Sequence, residues 1–330
     1  MTISNYPFLY NAESGKNNWW RYIITILVTI VTSFTATVVV GIILMIFFVM
    51  NLVQSGNIGS MDVQTQINNL IYNPIVLLLF TLVLYVFCFI VFYICARFIH
   101  RRKFISFINI DSKISWVKMI KGAVLWFFIL GAFNLIAFVL NPGIYTFSFN
   151  PSAFAILFIM VIIGIPIQAS FEEIFFRGYL MQGIGLLSKK PIIPLLVTSI
   201  IFAILHGANG TNFIVNIFIV IQTLIVGLML GIIAIGENRI ETAMGIHIAN
   251  NMFAFLIVSS SDEVVGGLPS LFTTPPSTTP DLYVGVITTI IAVIIVLAII
   301  FWGKKDQLMG IFRFKDAKNE VENENNSYQI

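Results

Sequence analysis

Charged residues are scarce in this chain. Only 10% of its 330 residues are Asp, Glu, Lys or Arg, whereas a soluble domain carries about 25%. Hydrophobic residues make up 58% of the sequence, which predicts an integral membrane protein whose surroundings are the lipid bilayer. The net charge of +3 is small and is divided among short loops, so we expect no nucleic-acid partner.

Cysteine is also rare. The chain has two, Cys88 and Cys95, which lie seven residues apart in one apolar run. On a helix they would be about 10 Å apart along the axis, too far for a disulfide. They indicate neither a disulfide framework nor a metal site, and we expect no cofactor. The first apolar run is too long for a cleavable signal peptide.

Eight apolar runs organise the chain. Only helices satisfy their own backbone hydrogen bonds in lipid, and about 20 apolar residues are enough to cross a bilayer. The sequence therefore predicts an all-α fold, a polytopic membrane helix bundle with about eight transmembrane helices. The runs cover, approximately, residues 23–53, 70–98, 123–140, 153–177, 191–206, 213–235, 240–258 and 282–302.

The positions of Lys and Arg predict the orientation. They fall at the N-terminus, after runs two, four and six, and in the tail, while the other connections are almost free of them. The positive-inside rule then places both termini in the cytoplasm. We predict a cytoplasmic segment 1–18, a membrane domain 19–303 and a cytoplasmic, largely disordered tail 304–330. The mixed segment 104–121 suits a helix lying in the membrane interface.

Run four ends in three charged residues, Glu172, Glu173 and Arg177. An ionised group in a membrane helix costs about 2.5–3.5 kcal/mol, so it indicates function. Glu173 and Arg177 have i,i+4 spacing and should pair on one helix face. Glu172 points about 100° away and is free to meet another helix. A structural ion pair at the interface is the alternative interpretation.

Two further polar islands contain histidine. His206 ends run five, while His247 lies in run seven with Asn250 and Asn251. His247 and Asn251 have i,i+4 spacing and share one face. The alternative interpretation is that His206 serves only as a cap, and the second island only in hydrogen bonds between helices, worth about 0.6 kcal/mol each. The remaining histidine, His100, ends a basic loop and is predicted to be solvated.

These residue types suit peptide hydrolysis. A carboxylate and a neutral histidine can take a proton from water and return it to a leaving amine. A second histidine and an amide can hold the oxyanion of a tetrahedral intermediate. Counting about 1.5 Å per residue puts Glu172 and His247 in the cytoplasmic half and His206 deeper. A tilted or short helix five would be needed to bring them together.

Three motifs in order resemble the CAAX prenyl protease and bacteriocin-processing family, whose members include the type II CAAX prenyl endopeptidases. The resemblance covers about residues 171–251, and the flanking runs match only as generic spans. The three motifs are Glu172-Glu173-x-x-x-Arg177, Phe202-x-x-x-His206 and His247-x-x-x-Asn251.

The resemblance implies an intramembrane glutamate protease that needs neither metal nor cofactor. Glu172 and His206 would activate the water, and His247 and Asn251 would stabilise the oxyanion. Three residues would support the site: Glu173, Arg177 and Phe202. The catalytic residues would thus lie on helices four, five and seven of the bundle.

The expected substrate is a peptide or protein in the membrane. Eukaryotic members of the family trim prenylated proteins, whereas bacterial members are linked to bacteriocin maturation, self-immunity and peptide-signal processing. A composition rich in Ile, Asn and Lys, without an added domain, favours a bacterial member in the cell membrane. A prenylated substrate therefore does not follow from the resemblance.

The sequence is also compatible with two other functions. Glu172, His206 and His247 are three residues of the types that hold a catalytic zinc, although the chain has no His-Glu-x-x-His motif. Alternatively, the polar islands form a binding cavity in a transporter, an immunity protein, or a scaffold for a sensor kinase or peptide toxin.

Overall fold

Helices account for most of the computed structural model, which describes residues 6–54, 60–111, 113–188, 190–263 and 266–312. The α-helices are α1 (Pro7–Tyr10), α2 (Trp19–Gln54), α3 (Ser60–Ile71), α4 (Pro74–Phe98), α5 (Trp116–Leu140), α6 (Pro151–Glu173), α7 (Met181–Gly185), α8 (Ile192–Leu205), α9 (Phe213–Glu237), α10 (Glu241–Met252), α11 (Thr279–Ile300) and α12 (Lys305–Phe312). Short 3₁₀ turns cover Asn11–Ser14, Phe104–Phe107 and Pro142–Ile144, and π-helical segments cover Ile174–Leu180 and Phe253–Ile257.

Within the described residues, six helices are long and apolar enough to cross a membrane: α2, α4, α5, α6 with its continuation to Gly185, α9 and α11. Their outer faces expose large apolar side chains, as expected of surfaces that face lipid. The predicted polytopic membrane bundle is confirmed. The count of eight stays a prediction, because runs five and seven form the shorter helices α8 and α10.

Two predicted boundaries are wrong. Run two is interrupted at Asn73-Pro74, where the Asn73 side chain caps α4 by accepting a hydrogen bond from the Ile75 amide. The segment 104–121 is not one interfacial helix, because α5 begins at Trp116 and only Phe104–Phe107 forms a turn before it. The part of this segment from Trp116 onward therefore belongs to a spanning helix, while Phe107 and Ile108 are buried in the core.

Helix α10 lies close to α5. A Cβ atom added at Gly245 of α10 would clash with the Met119 carbonyl oxygen, and one added at Gly122 of α5 would clash with that of Thr242. Small residues at such contacts let two membrane helices approach closely. The contact fixes the height of α10 in the bundle and hence the position of His247.

A three-stranded sheet joins two connections at one end of the bundle. Its strands are β1 (Thr146–Phe147), β2 (Val258–Ser260) and β3 (Phe272–Thr274), in the order β1-β3-β2. Strand β3 runs antiparallel to β1, with Phe147 opposite Phe272, and parallel to β2, with Val258 opposite Phe272. The sheet is a small addition to the predicted all-α fold.

The N-terminal segment packs under the opposite end of the bundle. Phe8 and Leu9 are fully buried, and the Phe8 amide donates to the Asn238 side chain at 3.2 Å. The boundaries predicted for the terminal segments stay predictions. In the tail 304–330, which was predicted to be largely disordered, Lys305–Phe312 form α12, and the residues after Phe312 lie outside the described part of the chain.

His100 is buried, so its predicted solvation is wrong. Its Nδ1 lies 3.0 Å from the Lys16 carbonyl oxygen and its Nε2 lies 2.8 Å from the Tyr179 hydroxyl. The N-terminal segment folds over the turn that follows α4, and this contact cannot be read from the local pattern. Burial lowers the pKa of His100 from 6.5 to about 4.

Candidate active site

Glu172 and Glu173, at the end of α6, both contact His247. The Nδ1 of His247 donates to Glu173 Oε1 at 2.8 Å, and its Nε2 lies 3.4 Å from Glu172 Oε2. All three side chains are buried. The glutamates were expected to face different partners, but an imidazole ring presents nitrogens on two sides and so reaches both.

The predicted i,i+4 pair of Glu173 and Arg177 is confirmed. The Nη1 of Arg177 donates to Glu173 Oε1 at 2.7 Å and its Nη2 to the Gly227 carbonyl at 3.1 Å. The π-helical segment begins directly after Glu173, and such segments often occur at functional sites. Because Glu173 and Arg177 are buried together, losing one partner would leave an uncompensated charge.

Glu172 also belongs to a network that the sequence did not predict. Its Oε1 accepts hydrogen bonds from the Tyr85 hydroxyl of α4 and from Gln168 Nε2, the latter at 2.9 Å. The Asn251 amide donates in turn to Gln168 Oε1 at 2.9 Å, so Gln168 links Asn251 to Glu172. An amide one turn before Glu172 in an apolar run was a usable signal for Gln168. Tyr85 left none.

A second chain of contacts reaches Asn251 from α5. Trp126 Nε1 donates to Asn250 Oδ1 at 3.1 Å, and the Asn250 amide donates to Asn251 Oδ1 at 3.1 Å. Asn251 is thereby held from two sides, which fixes the direction of its own amide group. Tryptophan is common in apolar runs, so Trp126 was not recognisable from the sequence.

His206 comes directly after α8. Its Nδ1 donates to the Phe202 carbonyl at 2.8 Å, which leaves Nε2 as an acceptor in the neutral ring. The Phe202 ring contacts both histidines, with its centroid 4.5 Å from that of His206 and 5.8 Å from that of His247. Arg177 lies 4.4 Å over the same ring. Phe202 therefore packs against both histidines and the arginine.

The length of α8 accounts for the depth of His206. A helix of 14 residues is about 20 Å long, shorter than the roughly 30 Å hydrocarbon layer. The chain therefore leaves α8 at membrane depth, which is tolerated where irregular backbone lines a cavity. A short helix five was one of the two arrangements considered from the sequence for bringing His206 close to Glu172 and His247.

A cavity of about 330 Å³ adjoins these groups. His206, His247 and Asn251 line it together with Trp126 and Asn250. Glu172 is not among the lining residues, but it contacts His247, which is. Glu263, from the connection after β2, lines it too, and burial raises the pKa of that carboxyl. The cavity can take a small part of a peptide, with acid, imidazole and amide groups along its wall.

Within the part of the chain that the structure describes, no group of three or more His, Cys, Asp or Glu side chains is arranged to hold a metal ion. Glu172, Glu173 and His247 are joined instead by the hydrogen-bond and ion-pair contacts given above. Cys88 and Cys95 are free and buried in α4.

Fold and site together define an integral membrane helix bundle with a buried acid–histidine centre. The type II CAAX prenyl endopeptidase Rce1-like family matches residues 150–253, the part of the chain that holds all three motifs. The uncharacterized protein YyaK of Bacillus subtilis (strain 168) is 33% identical over 261 residues, which are 78% of this chain and 84% of that protein. No solved structure matches.

The chain belongs to the Rce1-like family. Membership indicates a membrane endopeptidase of the CAAX type and agrees with the resemblance drawn from the three motifs.

Proposed function

We propose that this protein is an intramembrane glutamate endopeptidase that cuts a peptide or protein substrate with an activated water. Glu172 and His206 activate the water, while His247 and Asn251 stabilise the oxyanion. The observation that carries this proposal is His247, which is held between two buried carboxylates on the wall of the cavity that His206 and Asn251 also line.

The proposed reaction uses atoms that have hydrogen-bonding capacity to spare. Apart from its contact with His247 Nε2 at 3.4 Å, the buried Glu172 Oε2 has no hydrogen-bond partner among the described residues, so it can accept a proton from water. The water oxygen attacks the peptide carbonyl, and the proton passes to the leaving amine as the C–N bond breaks. The second amide hydrogen of Asn251, which its bond to Gln168 does not use, can donate to the oxyanion.

Glu173, Arg177 and Phe202 act as positioning residues in this proposal. The hydrogen bond from His247 to Glu173 fixes the imidazole ring, and Arg177 holds Glu173 in turn. Phe202 packs against both histidine rings. Such support matters because a displacement of about 1 Å at a catalytic group can cost about 100-fold in rate.

Peptide maturation or bacteriocin self-immunity is the biological role that we propose. It rests on the family resemblance. A prenylated substrate is one class to include in the assay, beside unmodified peptides.

A cleavage assay on the purified, reconstituted full-length protein tests the proposed function. Glu172→Gln and His206→Ala should each reduce cleavage by at least about 100-fold, because each removes a proton-transfer group. Glu13→Gln, which alters an exposed acid, is the matched control and should cleave like the wild type. Activity should also survive exhaustive chelation.

Three results would contradict the proposal. Full activity in Glu172→Gln would exclude a general base at this position. Loss of activity on chelation, with recovery on adding zinc, would favour a zinc protease. Cells protected equally well by the wild type and both variants would favour an immunity protein that does not cleave.

A further inference from the structure

A second cavity, of about 280 Å³, lies at the end of α4, away from the site described above. It is lined by two aromatic side chains, one alanine and three cations: Tyr93, Phe104, Ala96, Arg97, Arg102 and Lys103. Neither the proposed reaction nor the family motifs use any of these residues.

The three cations have no ionic partner within the described part of the chain. All ion pairs among the described residues involve groups other than Arg97, Arg102 and Lys103. Three positive charges around one small cavity repel one another, and the repulsion grows where the dielectric constant is low. An anion in the cavity would relieve this repulsion.

Arg102 is the strongest indication of a ligand. It is 1% exposed, and its Nη2 donates to Gln182 Oε1 at 2.6 Å while its Nε donates to the Ser106 hydroxyl at 3.2 Å. Its Nη1 is buried and has no hydrogen-bond partner among the described residues. A buried donor of this kind costs free energy unless something accepts from it. A guanidinium presents its donors in a fork that suits phosphate oxygens.

The surroundings of the cavity fit a lipid. It lies at the end of a spanning helix, and Tyr93 is half exposed beside Phe104, with ring centroids 5.3 Å apart. Aromatic rings at this level are typical of the boundary between headgroups and acyl chains. Arg97 and Lys103 are exposed and can reach a headgroup from the rim.

We propose that this cavity binds an anionic phosphate group, held by Arg97, Arg102 and Lys103, with the headgroup of an anionic phospholipid as its source. Basic pockets between membrane helices bind such headgroups by the same chemistry. Free inorganic phosphate would satisfy the same donors, and competition between the two distinguishes the sources. The proposed site does not depend on the proposed peptidase activity.

Native mass spectrometry of the full-length protein in detergent tests the proposal. Phosphatidylglycerol should bind with higher affinity than phosphatidylcholine. Each cation at an anionic surface contributes about fivefold to affinity, so Arg97→Gln/Lys103→Gln should weaken phosphatidylglycerol binding by about 25-fold. Lys113→Gln/Lys121→Gln removes two exposed cations from the same end of the bundle, outside the cavity, and should bind within about twofold of the wild type.

A charge-conserving variant and a competition measurement complete the test. The charge-conserving exchange Arg97→Lys/Lys103→Arg should keep most of the affinity, and thermal melting shows that each variant is folded. If inorganic phosphate displaces phosphatidylglycerol, the cavity recognises the phosphate alone; if it does not, the lipid is the source. Equal affinity for the two lipids, or equal weakening in both double-glutamine variants, would overturn the proposal.

Discussion

At the scale of single residues, Arg177 shows how charge is tolerated inside this bundle. It is 1% exposed, and the groups that compensate it are Glu173, the Gly227 carbonyl and the face of Phe202. Each partner comes from a different element, so the guanidinium joins α6, its π-helical continuation, α8 and α9. The charge is tolerated only while all of them are in place.

Removing one partner of this pair should therefore be costly. We expect Glu173→Gln to lower the free energy of unfolding by about 3–5 kcal/mol, because it leaves Arg177 buried without a carboxylate. The double variant Glu173→Gln/Arg177→Met should recover part of the loss. Denaturant titration of the detergent-solubilised protein measures both. If Glu173→Gln unfolds like the wild type, the pair does not stabilise the fold.

His100 should make the stability depend on pH. Its folded-state pKa of about 4 is below the unfolded value of 6.5, chiefly because burial penalises the charged ring, with Arg102 and Arg21 nearby. Between these values the unfolded chain binds a proton that the folded chain does not. The stability that His100 contributes is therefore complete above about pH 6.5 and is lost as the pH falls toward 4.

Thermal melting at pH 7.5 and pH 5 tests this expectation. The loss attributable to His100 should be about 2 kcal/mol at pH 5. The variant His100→Asn should be less stable at pH 7.5 but should lose less on acidification. An identical drop in melting temperature in both proteins would show that other groups control the pH response.

At the scale of elements, the contact between α5 and α10 positions His247. Gly245 lies two residues before His247, and any side chain at Gly245 meets the backbone of Met119. We expect Gly245→Ala to force the helices apart, to cost about 1–3 kcal/mol of stability and to lower cleavage at least tenfold.

A matched control exists on the same pair of helices. A Cβ atom at Gly131 of α5 would meet nothing within 4 Å, so Gly131→Ala should keep activity and stability or gain slightly in stability. Unfolding titrations and the cleavage assay compare the two variants. If both behave alike, close helix approach does not govern the site.

At the scale of the whole molecule, the connections fall into two sets at opposite ends. At one end, two ion pairs hold the basic connections together. Lys118 pairs with Glu237 at 2.6 Å, and Arg239 pairs with Asp111. The other end joins connections without Lys or Arg, where the Thr211 amide donates to the Asp262 carbonyl at 2.8 Å. This grouping supports a basic cytoplasmic end that includes the N-terminal segment.

Cysteine labelling in intact cells tests this orientation. Ser261→Cys should react with a membrane-impermeant maleimide from outside, whereas Lys190→Cys should react only after permeabilisation. The wild type should not react with the maleimide, because Cys88 and Cys95 are buried. The opposite pattern would place the termini outside.

Sequence alone was enough to predict the membrane bundle, the Glu173–Arg177 pair and the residues expected to form the site. These features are local: the length of an apolar run and an i,i+4 spacing on one helix follow from helix geometry alone. His206, His247 and Asn251 were recognisable from residue type and spacing, and the cavity brings them together.

How those residues meet depends on the packing of segments that are far apart in the chain. His247 reaches Glu173 across 74 positions of the chain, and Tyr85 reaches Glu172 across 87. The burial of His100 and the link through Gln168 depend likewise on how separate segments pack. Such contacts follow from the relative heights and rotations of the helices, which close packing fixes and a one-dimensional pattern does not encode.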